Sequence, residues 1–425
     1  MTTDRQESGF KHRTRVADAL AAIREVATPH DRTERVAVVD ADGRTVAETI
    51  AAPNPVPGYD RAAMDGYAVR ARDTFGASER SPSVLHPTDD RVGPEEAVRV
   101  HTGSDLPEGA DAVVMIEQVE ELDVGGDDAV DELEVFDAVA EGENVGDAGE
   151  DVAEGQPLYE PGHRLRPSDL GLLKSVGLEE ITVYERPSVA VLPTGEELVQ
   201  SDPGPGEVIE TNGLTVTRLA ERWGAEATYR EIVTDDEDAL RSAIERDLDH
   251  DVVVTTGGSS VGERDLVPDV VDGIGEVLVH GVALKPGHPV ALGAVGETPV
   301  VMLPGYPVAC IVNAVQFLRP VLKDIGGMSL PPHPTRTARL TRKIPSEPGT
   351  RTFARVRLES DDGNAGDTDS GDGEEPSLAA TPTRASGSGV LSSVALADGW
   401  VVVPEPVEGF DAGEIVTVEV WEGSQ

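Results

Sequence analysis

Apolar residues change their spacing along the chain, and each change predicts a different kind of structure. Residues 14–27 predict a short helix, because apolar side chains recur there at helical intervals, at Val16, Ala19, Leu20, Ile23 and Val26. Residues 35–150 alternate short Val- and Ala-rich runs with Gly, Pro and Asp, which is typical of strands joined by turns. A second short helix is predicted at 168–177, with Ser168 as its N-cap. We therefore expect a small discontinuous domain that carries a β-rich insertion.

Beyond Pro187 the pattern alternates between strands and helices. Strands are predicted at 188–192, 227–233, 251–256, 276–284 and 299–303, and helices at 212–223, 235–248, 266–272 and 308–325. This alternation predicts a doubly wound α/β domain with a parallel sheet, whose ligands lie beyond the carboxyl ends of the strands. After Gly326 and Gly327 the chain becomes Pro-rich and then β-like to its end.

These patterns predict a multidomain α/β plus β protein, which suits a chain of 425 residues. The expected units are a discontinuous helical linker domain (1–28 and 152–186), a β-rich insert (29–151), the α/β domain (187–328) and a barrel-like C-terminal β domain (329–425). Within the last, the Asp-, Gly- and Ser-rich residues 360–376 are predicted to form a disordered acidic loop.

The net charge of −45 modifies this picture. Recurring apolar runs such as 252–254 and 300–303 indicate buried cores, so the acidic residues belong to the surface. A Lys-poor, acidic surface is typical of proteins in a high-salt cytoplasm, where salt shortens the Debye length to about 3 Å at 1 M. Nucleic acid is disfavoured as a partner because no basic patch is evident. With no membrane-spanning or targeting segment apparent, we expect a cytoplasmic protein.

The segment Thr255 to Asp265 is the most informative candidate site. It follows an apolar strand, and its paired glycines would let the backbone of Gly257 and Gly258 approach a phosphate, with Ser259 and Ser260 beside them. The competing interpretation is a Gly-rich turn with Asp265 as a helix cap. A lone Cys310 within an apolar run is expected to be a buried small residue.

Two further strand ends carry carboxylates. Glu197 follows the strand at 188–192, and Asp235 follows the strand at 227–233. For the second segment a capping box of Thr234 with Glu237 is a strong structural alternative. Because Glu197, Asp235 and Asp265 should converge on one edge of one sheet, we predict that they hold Mg²⁺ beside a phosphate substrate.

The remaining strand ends and the insert supply weaker candidates. Lys285 precedes a Pro-Gly pair, and in a Lys-poor chain its position at the ligand edge favours binding of an oxyanion. Pro304 and Pro307 frame a second Pro-Gly turn. In the insert, Asp65, Thr102 and Asp151 lie in short motifs that also read as ordinary turns.

Taken in order, these motifs resemble the molybdopterin molybdenumtransferase family, which includes the E domain of gephyrin. The resemblance runs from about Thr14 to Glu422 and rests on the segments 63–68, 102–103, 149–151, 194–198, 257–265, 285–287 and 303–307. It implies catalytic roles for Asp65, Thr102, Asp151, Glu197, Asp235 and Asp265, and substrate-binding roles for Lys285, Pro304, Pro307, Arg351, Arg355 and Ser388. Departures from the family pattern include Ala62, Gly146, Asp147, His288 and Tyr306.

The resemblance implies insertion of molybdate into adenylylated molybdopterin with release of AMP. It also implies a homodimer whose active site lies between the α/β domain of one subunit and the insert of the other, and an adenylyltransferase as partner protein. Two alternatives remain: the related adenylyltransferase activity, which needs only the α/β unit, and a scaffold without catalysis. The sequence does not distinguish molybdate from tungstate.

Overall fold

The computed structural model describes residues 13–123, 130–258, 266–360, 377–383 and 389–423. Its helices are Val16–Val26, Pro167–Ser175, Asn212–Arg222, Glu237–Arg246, Leu266–Ile274, Pro307–Asn313, Arg319–Ile325 and Ser392–Ala395. The π-helical turn Ala314–Leu318 joins the sixth and seventh of these, so the predicted helix at 308–325 is one continuous helical segment. None of the helices in these ranges is long and apolar enough to cross a membrane.

The α/β domain contains a six-stranded sheet. Its strand order is Glu226–Tyr229, Ser188–Pro193, Val252–Thr256, Thr298–Leu303, Ala291–Val295 and Glu276–His280. The first four strands are parallel, as predicted. Ala291–Val295 was not predicted and runs antiparallel to both neighbours. It forms a tight hairpin with Thr298–Leu303 around Gly296, whose φ of 62° suits such a turn.

Apolar residues cover both faces of this sheet, which explains why its central strands read as continuous Val-rich runs. One face packs against Val216, Ala220 and the helical segment 307–325, and the other against Leu240, Ile244 and Val271. The strands are therefore held rigidly, and the turns that leave their carboxyl ends are fixed in position.

The first helix, Val16–Val26, lies on the α/β domain. Its buried residues Val16, Ala19 and Ile23 belong to the same core as the sheet, and Arg24 donates to Asp324 at 2.7 Å. This differs from the expectation that residues 1–28 join 152–186 in a linker domain. An amphipathic stripe predicts that a helix is buried on one side, but not which surface covers it.

The linker unit is built instead from residues on both sides of the insert. Thr33–Ala37 pairs antiparallel with Glu180–Tyr184, and Val38, Val46, Leu173 and Val183 share one core. The insert sheet therefore begins later than the predicted boundary at residue 29. The helix Pro167–Ser175 is capped by Arg166 and Asp169, so Ser168 lies inside the helix and is not its cap.

The insert is a second six-stranded sheet. Its order is Ala112–Met115, Gly66–Val69, Glu96–Val100, Ser83–Thr88, Glu132–Val135 and Val119–Leu122. The last two strands form the acidic hairpin that the sequence predicts; its tip, 124–129, lies outside the described residues. Short two-stranded ladders at the base of the insert and in the α/β domain join Ile50–Ala51 to Pro157–Tyr159, Arg61–Ala62 to Val145–Gly146, and Leu198–Val199 to Val208–Ile209.

The C-terminal domain contains a closed β-barrel. Five strands pair in a ring, Arg351–Ser360, Leu378–Pro382, Thr335–Leu340, Ile415–Glu419 and Gly399–Val403, and the last returns to the first. Leu284–Lys285 of the α/β domain adds to this barrel beside Arg351 and Thr352. A small ladder pairs Ile344–Pro345 with Gly409–Phe410. The predicted disordered loop at 360–376 lies, except for Ser360, outside the described residues.

Candidate functional site

Three strand ends of the α/β sheet meet at Gly257. The N–H of Gly257 donates to the carbonyl of Leu303 at 3.0 Å, and the N–H of Thr194 donates to the carbonyl of Thr256 at 3.3 Å. Gly257 has a φ of 125°, and a Cβ at this position would lie 2.2 Å from the carbonyl oxygen of Thr194. Only glycine fits this crossing. Because the N–H of Gly257 is already bonded within the sheet edge, it cannot take the phosphate-binding role that the sequence suggested for it.

We expect Gly257→Ala to destabilise the protein by about 3 kcal/mol or more, since it adds a steric clash to an unfavourable φ. The matched control is Gly206→Ala, at a φ of 90° with no atom within 4 Å of its Cβ position. That control should cost only about 1–2 kcal/mol. Urea unfolding measures both values, and equal losses would contradict the close approach at Gly257.

Glu197 and Asp235 lie on adjacent segments of the same edge. The N–H of Gly195 donates to the carbonyl of Val233 at 3.2 Å, which joins the two turns. Glu197 is exposed and Asp235 is half-buried. The helix after Asp235 is capped by Asp236, whose carboxylate accepts the N–H of Ala239 at 2.9 Å. The alternative capping box of Thr234 with Glu237 is therefore wrong. Asp265, Ser259 and Ser260 lie outside the described residues.

In the insert, Asp65 and Thr102 form one constellation. The Asp65 carboxylate accepts the backbone N–H of Thr102 at 2.6 Å and its hydroxyl at 2.9 Å. These two hydrogen bonds hold the pKa of the Asp65 carboxyl below its usual value, so the group is ionised at neutral pH. Both residues are exposed, and these two hydrogen bonds of the Asp65 carboxylate stay within the insert.

Asp151 lies on a neighbouring loop of the insert. Its N–H donates to the carbonyl of Val56 at 3.0 Å, and the same loop approaches Asp60, whose carboxylate accepts the N–H of Ala148 at 2.8 Å. Asp151 is exposed. The loop is joined to the Asp65 segment through the pairing of Val145 with Ala62.

A cleft of about 690 Å³ separates the α/β domain from the barrel. Four cationic side chains line it, and its described lining includes no carboxylate: the four are Lys285, Arg342, Lys343 and Arg355. Tyr306 and His288 also border it, and burial lowers the pKa of His288, with smaller contributions from the charges of Arg13 and Lys285. In a chain of net charge −45, such a cleft is a local reversal of sign that suits an anionic ligand.

The cations of the cleft differ in their surroundings. Arg355 is half-buried and donates to the hydroxyl of Ser393 at 3.4 Å, and burial lowers its pKa. Lys285 is exposed and lies 3.4 Å from Glu347, a contact that solvent weakens. Lys343 lies 2.8 Å from Asp411 at the rim. Arg342 bonds to the carbonyl of Pro382.

Other predicted residues lie beside this cleft. Pro304 is buried, and Pro307 begins the helix Pro307–Asn313 below Tyr306. Arg351 is paired with Glu405 at 3.0 Å and does not line the cleft. Ser388 lies outside the described residues.

Cys310 is fully buried and burial raises the pKa of its thiol, which confirms the interpretation as a small core residue.

Sequence reasoning missed Arg342 and Lys343. A signal was present, because two adjacent basic residues are unusual in a chain with 80 acidic and 35 basic side chains. They follow the strand Thr335–Leu340, and only closure of the barrel brings them opposite Lys285.

A compact group of possible metal ligands, Asp247, Asp249 and His250, lies elsewhere. It precedes the strand Val252–Thr256 and so occupies the edge of the sheet opposite Gly257. Asp247 is fully buried and already neutralised by Arg230 and Arg246, at 2.5 Å and 2.7 Å. We therefore interpret this group as a structural ion-pair network.

Comparison with known proteins agrees with this architecture. Residues 14–177 match the MoeA N-terminal region (domain I and II), residues 190–324 match a probable molybdopterin binding domain, and residues 337–421 match the MoeA C-terminal region (domain IV).

Full-length relatives show the same match. The molybdopterin molybdenumtransferase of Bacillus subtilis is 32% identical over 399 residues, covering 91% of this chain and 89% of the relative. Molybdopterin molybdenumtransferase 2 of Mycobacterium tuberculosis is 31% identical over 432 residues, covering 97% and 98%. A crystal structure of a molybdopterin biosynthesis MoeA protein from Pyrococcus horikoshii superposes with a TM-score of 0.81 at 33% identity, covering 97% of this chain and 100% of that one.

The fold and these matches define a multidomain protein of molybdenum cofactor biosynthesis, with a molybdopterin-binding α/β domain and a barrel at the C-terminus. Within that class, the chain belongs to the MoeA family of molybdopterin molybdenumtransferases.

Proposed function

We propose that this chain inserts molybdate into adenylylated molybdopterin and releases AMP. The observation that carries the proposal is the cationic cleft between the molybdopterin-binding domain and the barrel. The named activity of the full-length relatives supports it.

Charge explains why the cleft is needed. The pterin substrate is an anionic phosphoanhydride and molybdate is a dianion, whereas the chain carries a net charge of −45. Productive binding therefore requires local positive charge, which Lys285 and Arg355 supply to the cleft. Arg342 and Lys343 add to it from the barrel.

We assign substrate-binding roles to the α/β edge and the barrel. Molybdate binds near Lys285 and the turn from Pro304 to Pro307, with Arg355 and Ser388 from the barrel; Arg351, which is paired with Glu405 outside the cleft lining, is not assigned a contact. The pterin phosphate is bound by Gly258, Ser259 and Ser260. The two dithiolene thiols bind molybdenum through their sulfurs, and one oxo group of molybdate takes up the two thiol protons and leaves as water. A second water attacks the phosphoanhydride, which leaves the phosphate on the pterin and releases AMP.

The carboxylates at the sheet edge fit Mg²⁺. Glu197 and Asp235 offer hard oxygen ligands from adjacent turns, and the hydroxyl of Thr194 is buried beneath them without a hydrogen-bond partner among the described residues. Mg²⁺ keeps water molecules and phosphate oxygens among its ligands. The three carboxylates of Glu197, Asp235 and Asp265 are therefore enough protein ligands to hold it. Bound there, it would neutralise charge on the phosphates.

We also propose that the active unit is a homodimer. Asp65, Thr102 and Asp151 lie in the insert, while Glu197, Asp235 and Lys285 lie at the α/β domain. A site that uses both groups is built when the insert of one subunit faces the α/β domain of its partner. An adenylyltransferase would supply the adenylylated substrate.

The test measures AMP released from adenylylated molybdopterin, with and without molybdate and with EDTA, in molar KCl. We expect release that requires both molybdate and a divalent metal. Lys285→Gln should reduce the rate by about tenfold to a thousandfold, because it removes a charge that faces the reacting anions. The matched control is Lys174→Gln, an exposed lysine on the helix Pro167–Ser175, which should leave the rate unchanged.

Other products would identify other functions. Consumption of ATP with release of pyrophosphate would indicate an adenylyltransferase, and binding without AMP release would indicate a scaffold. Either result would overturn the proposal.

A further inference from the structure

A second cleft, of about 730 Å³, lies where the linker unit meets the α/β domain. Its lining shares no residue with the cleft of Lys285. Four arginines line it, Arg164, Arg166, Arg186 and Arg222, together with the carboxylates of Asp42, Glu221 and Glu422. Such a concentration of arginine is unexpected in a chain with more than twice as many acidic as basic residues.

Most of the carboxylates near this cleft are already engaged. Arg166 is held by Asp169 at 3.0 Å, and Glu221 accepts from Arg218 at 2.7 Å. Arg222 and Glu422 lie 3.6 Å apart, both well exposed. That leaves Asp42 as the lining carboxylate beside Arg164 and Arg186, so positive charge exceeds negative charge there by one.

Two arginines remain without an ion pair among the described residues. Arg164 is half-buried, and its Nε donates to the carbonyl of Gly43 at 3.3 Å. Arg186 is exposed at the cleft wall. Burial lowers the pKa of Arg164, the negative charge of Asp42 opposes this, and the positive charge of Arg186 lowers the pKa by a smaller amount. Both guanidinium groups line the same cleft, where their like charges repel each other.

Behind this pair the positive charge continues into the interior. Lys323 is 1% exposed, and its Nζ contacts the Sδ of Met328 at 3.8 Å. Burial, Arg164 and Arg319 together lower the pKa of Lys323 to about 7. Arg319 is itself buried and donates to the carbonyl of Pro331 at 2.8 Å. Asp324, the carboxylate beside Lys323 in sequence, is bound to Arg24.

A bound anion would relieve this like-charge repulsion. Guanidinium groups present paired N–H donors that match the oxygens of a phosphate or sulfate, and a half-buried arginine binds such a group with less competition from water. Arg164 and Arg186 belong to the linker side of the cleft, and Arg222 belongs to the helix Asn212–Arg222. One anion can therefore contact both sides of the junction.

We propose that this cleft binds a tetrahedral oxyanion of the phosphate type, held by Arg164 and Arg186 and reached from the other side by Arg222. The site is separate from the cleft of Lys285, and its occupancy does not depend on the reaction proposed above. Because the anion contacts both the linker unit and the α/β domain, it stabilises the junction between them. The insert extends from the linker unit, so this junction also fixes where the insert begins.

Equilibrium dialysis of radiolabelled inorganic phosphate, at constant molar KCl, tests this site. We expect saturable binding to the full chain that Arg186→Gln and Arg164→Gln each weaken at least tenfold. Lys285→Gln should retain that binding event, because its side chain lines the other cleft. Arg241→Gln, which removes a half-buried arginine paired with Glu237, is the matched control and should also retain it.

Phosphate binding that is unchanged in both Arg164→Gln and Arg186→Gln, or that is lost only in Lys285→Gln, would overturn the proposal. Circular dichroism establishes that each variant is folded. If Arg164→Gln does not fold, Arg186→Gln decides the question alone, because its side chain is exposed.

Discussion

Asp65→Asn is expected to lower kcat/KM for AMP release by about 10²- to 10⁴-fold while leaving the fold intact. The amide oxygen of Asn can still accept the N–H of Thr102, so the turn is preserved and only the negative charge is lost. The lowered pKa of Asp65 means that this charge is present throughout the neutral range. The matched control is Asp90→Asn, an exposed loop residue of the same insert, which should leave kcat/KM unchanged.

The same variant tests whether sites are shared between subunits. If Asp65 serves the partner's α/β domain, mixing Asp65→Asn with Lys285→Gln under conditions of subunit exchange should restore activity to about a quarter of the sites. Asp265→Asn should behave like Lys285→Gln in this mixture. No recovery after confirmed exchange would show that each site is built within one chain.

Thermal stability is expected to rise steeply with salt, by about 10 °C or more between 0.1 M and 3 M KCl. The net charge of −45 creates self-repulsion, and raising the ionic strength from 0.1 M to 1 M shortens the Debye length from about 10 Å to about 3 Å. One local source of this repulsion lies in the insert, where Glu120 is directly opposite Glu134 in the acidic hairpin. Like charges in such a cross-strand pair destabilise a sheet.

The variant Glu134→Lys distinguishes two ways in which salt can raise the melting temperature: screening of charge repulsion, and a general strengthening of apolar burial. It turns a repulsive pair into an attractive one, so it should raise the melting temperature at 0.1 M KCl and have little effect at 3 M. Differential scanning calorimetry across the salt series measures both. A melting temperature that is flat or falls with KCl would contradict the high-salt interpretation.

The sequence predicted the regular elements well where their pattern was strong. The helix Asn212–Arg222 and the strand Val252–Thr256 lie within one residue of their predicted bounds, because amphipathic spacing and continuous apolar runs report burial directly. Ala291–Val295 was missed because a short apolar run beside a glycine turn also reads as a loop. The partner of Val16–Val26 was not predictable, because burial of a stripe does not identify what covers it.

The sequence predicted many residues of the candidate site, but fewer of the contacts between them. Topology required the turns of Glu197 and Asp235 to share an edge, and the structure joins them through Gly195 and Val233. The contact of Asp65 with Thr102 spans 37 positions and depends on how insert strands pair, which no local pattern encodes. The role suggested for the N–H of Gly257 failed because its bond to Leu303 is a tertiary contact.

The most direct measurement of the central claim is the molybdenum bound to the pterin product, compared with the AMP released in the same reaction. Product separated from protein and analysed by mass spectrometry should contain one molybdenum for each AMP, and neither should form when molybdate is omitted. In Lys285→Gln, AMP release and molybdenum insertion should both be slower, and the ratio of molybdenum to AMP should stay the same. AMP released without molybdenum in the pterin, or pyrophosphate formed from ATP in its place, would contradict the account.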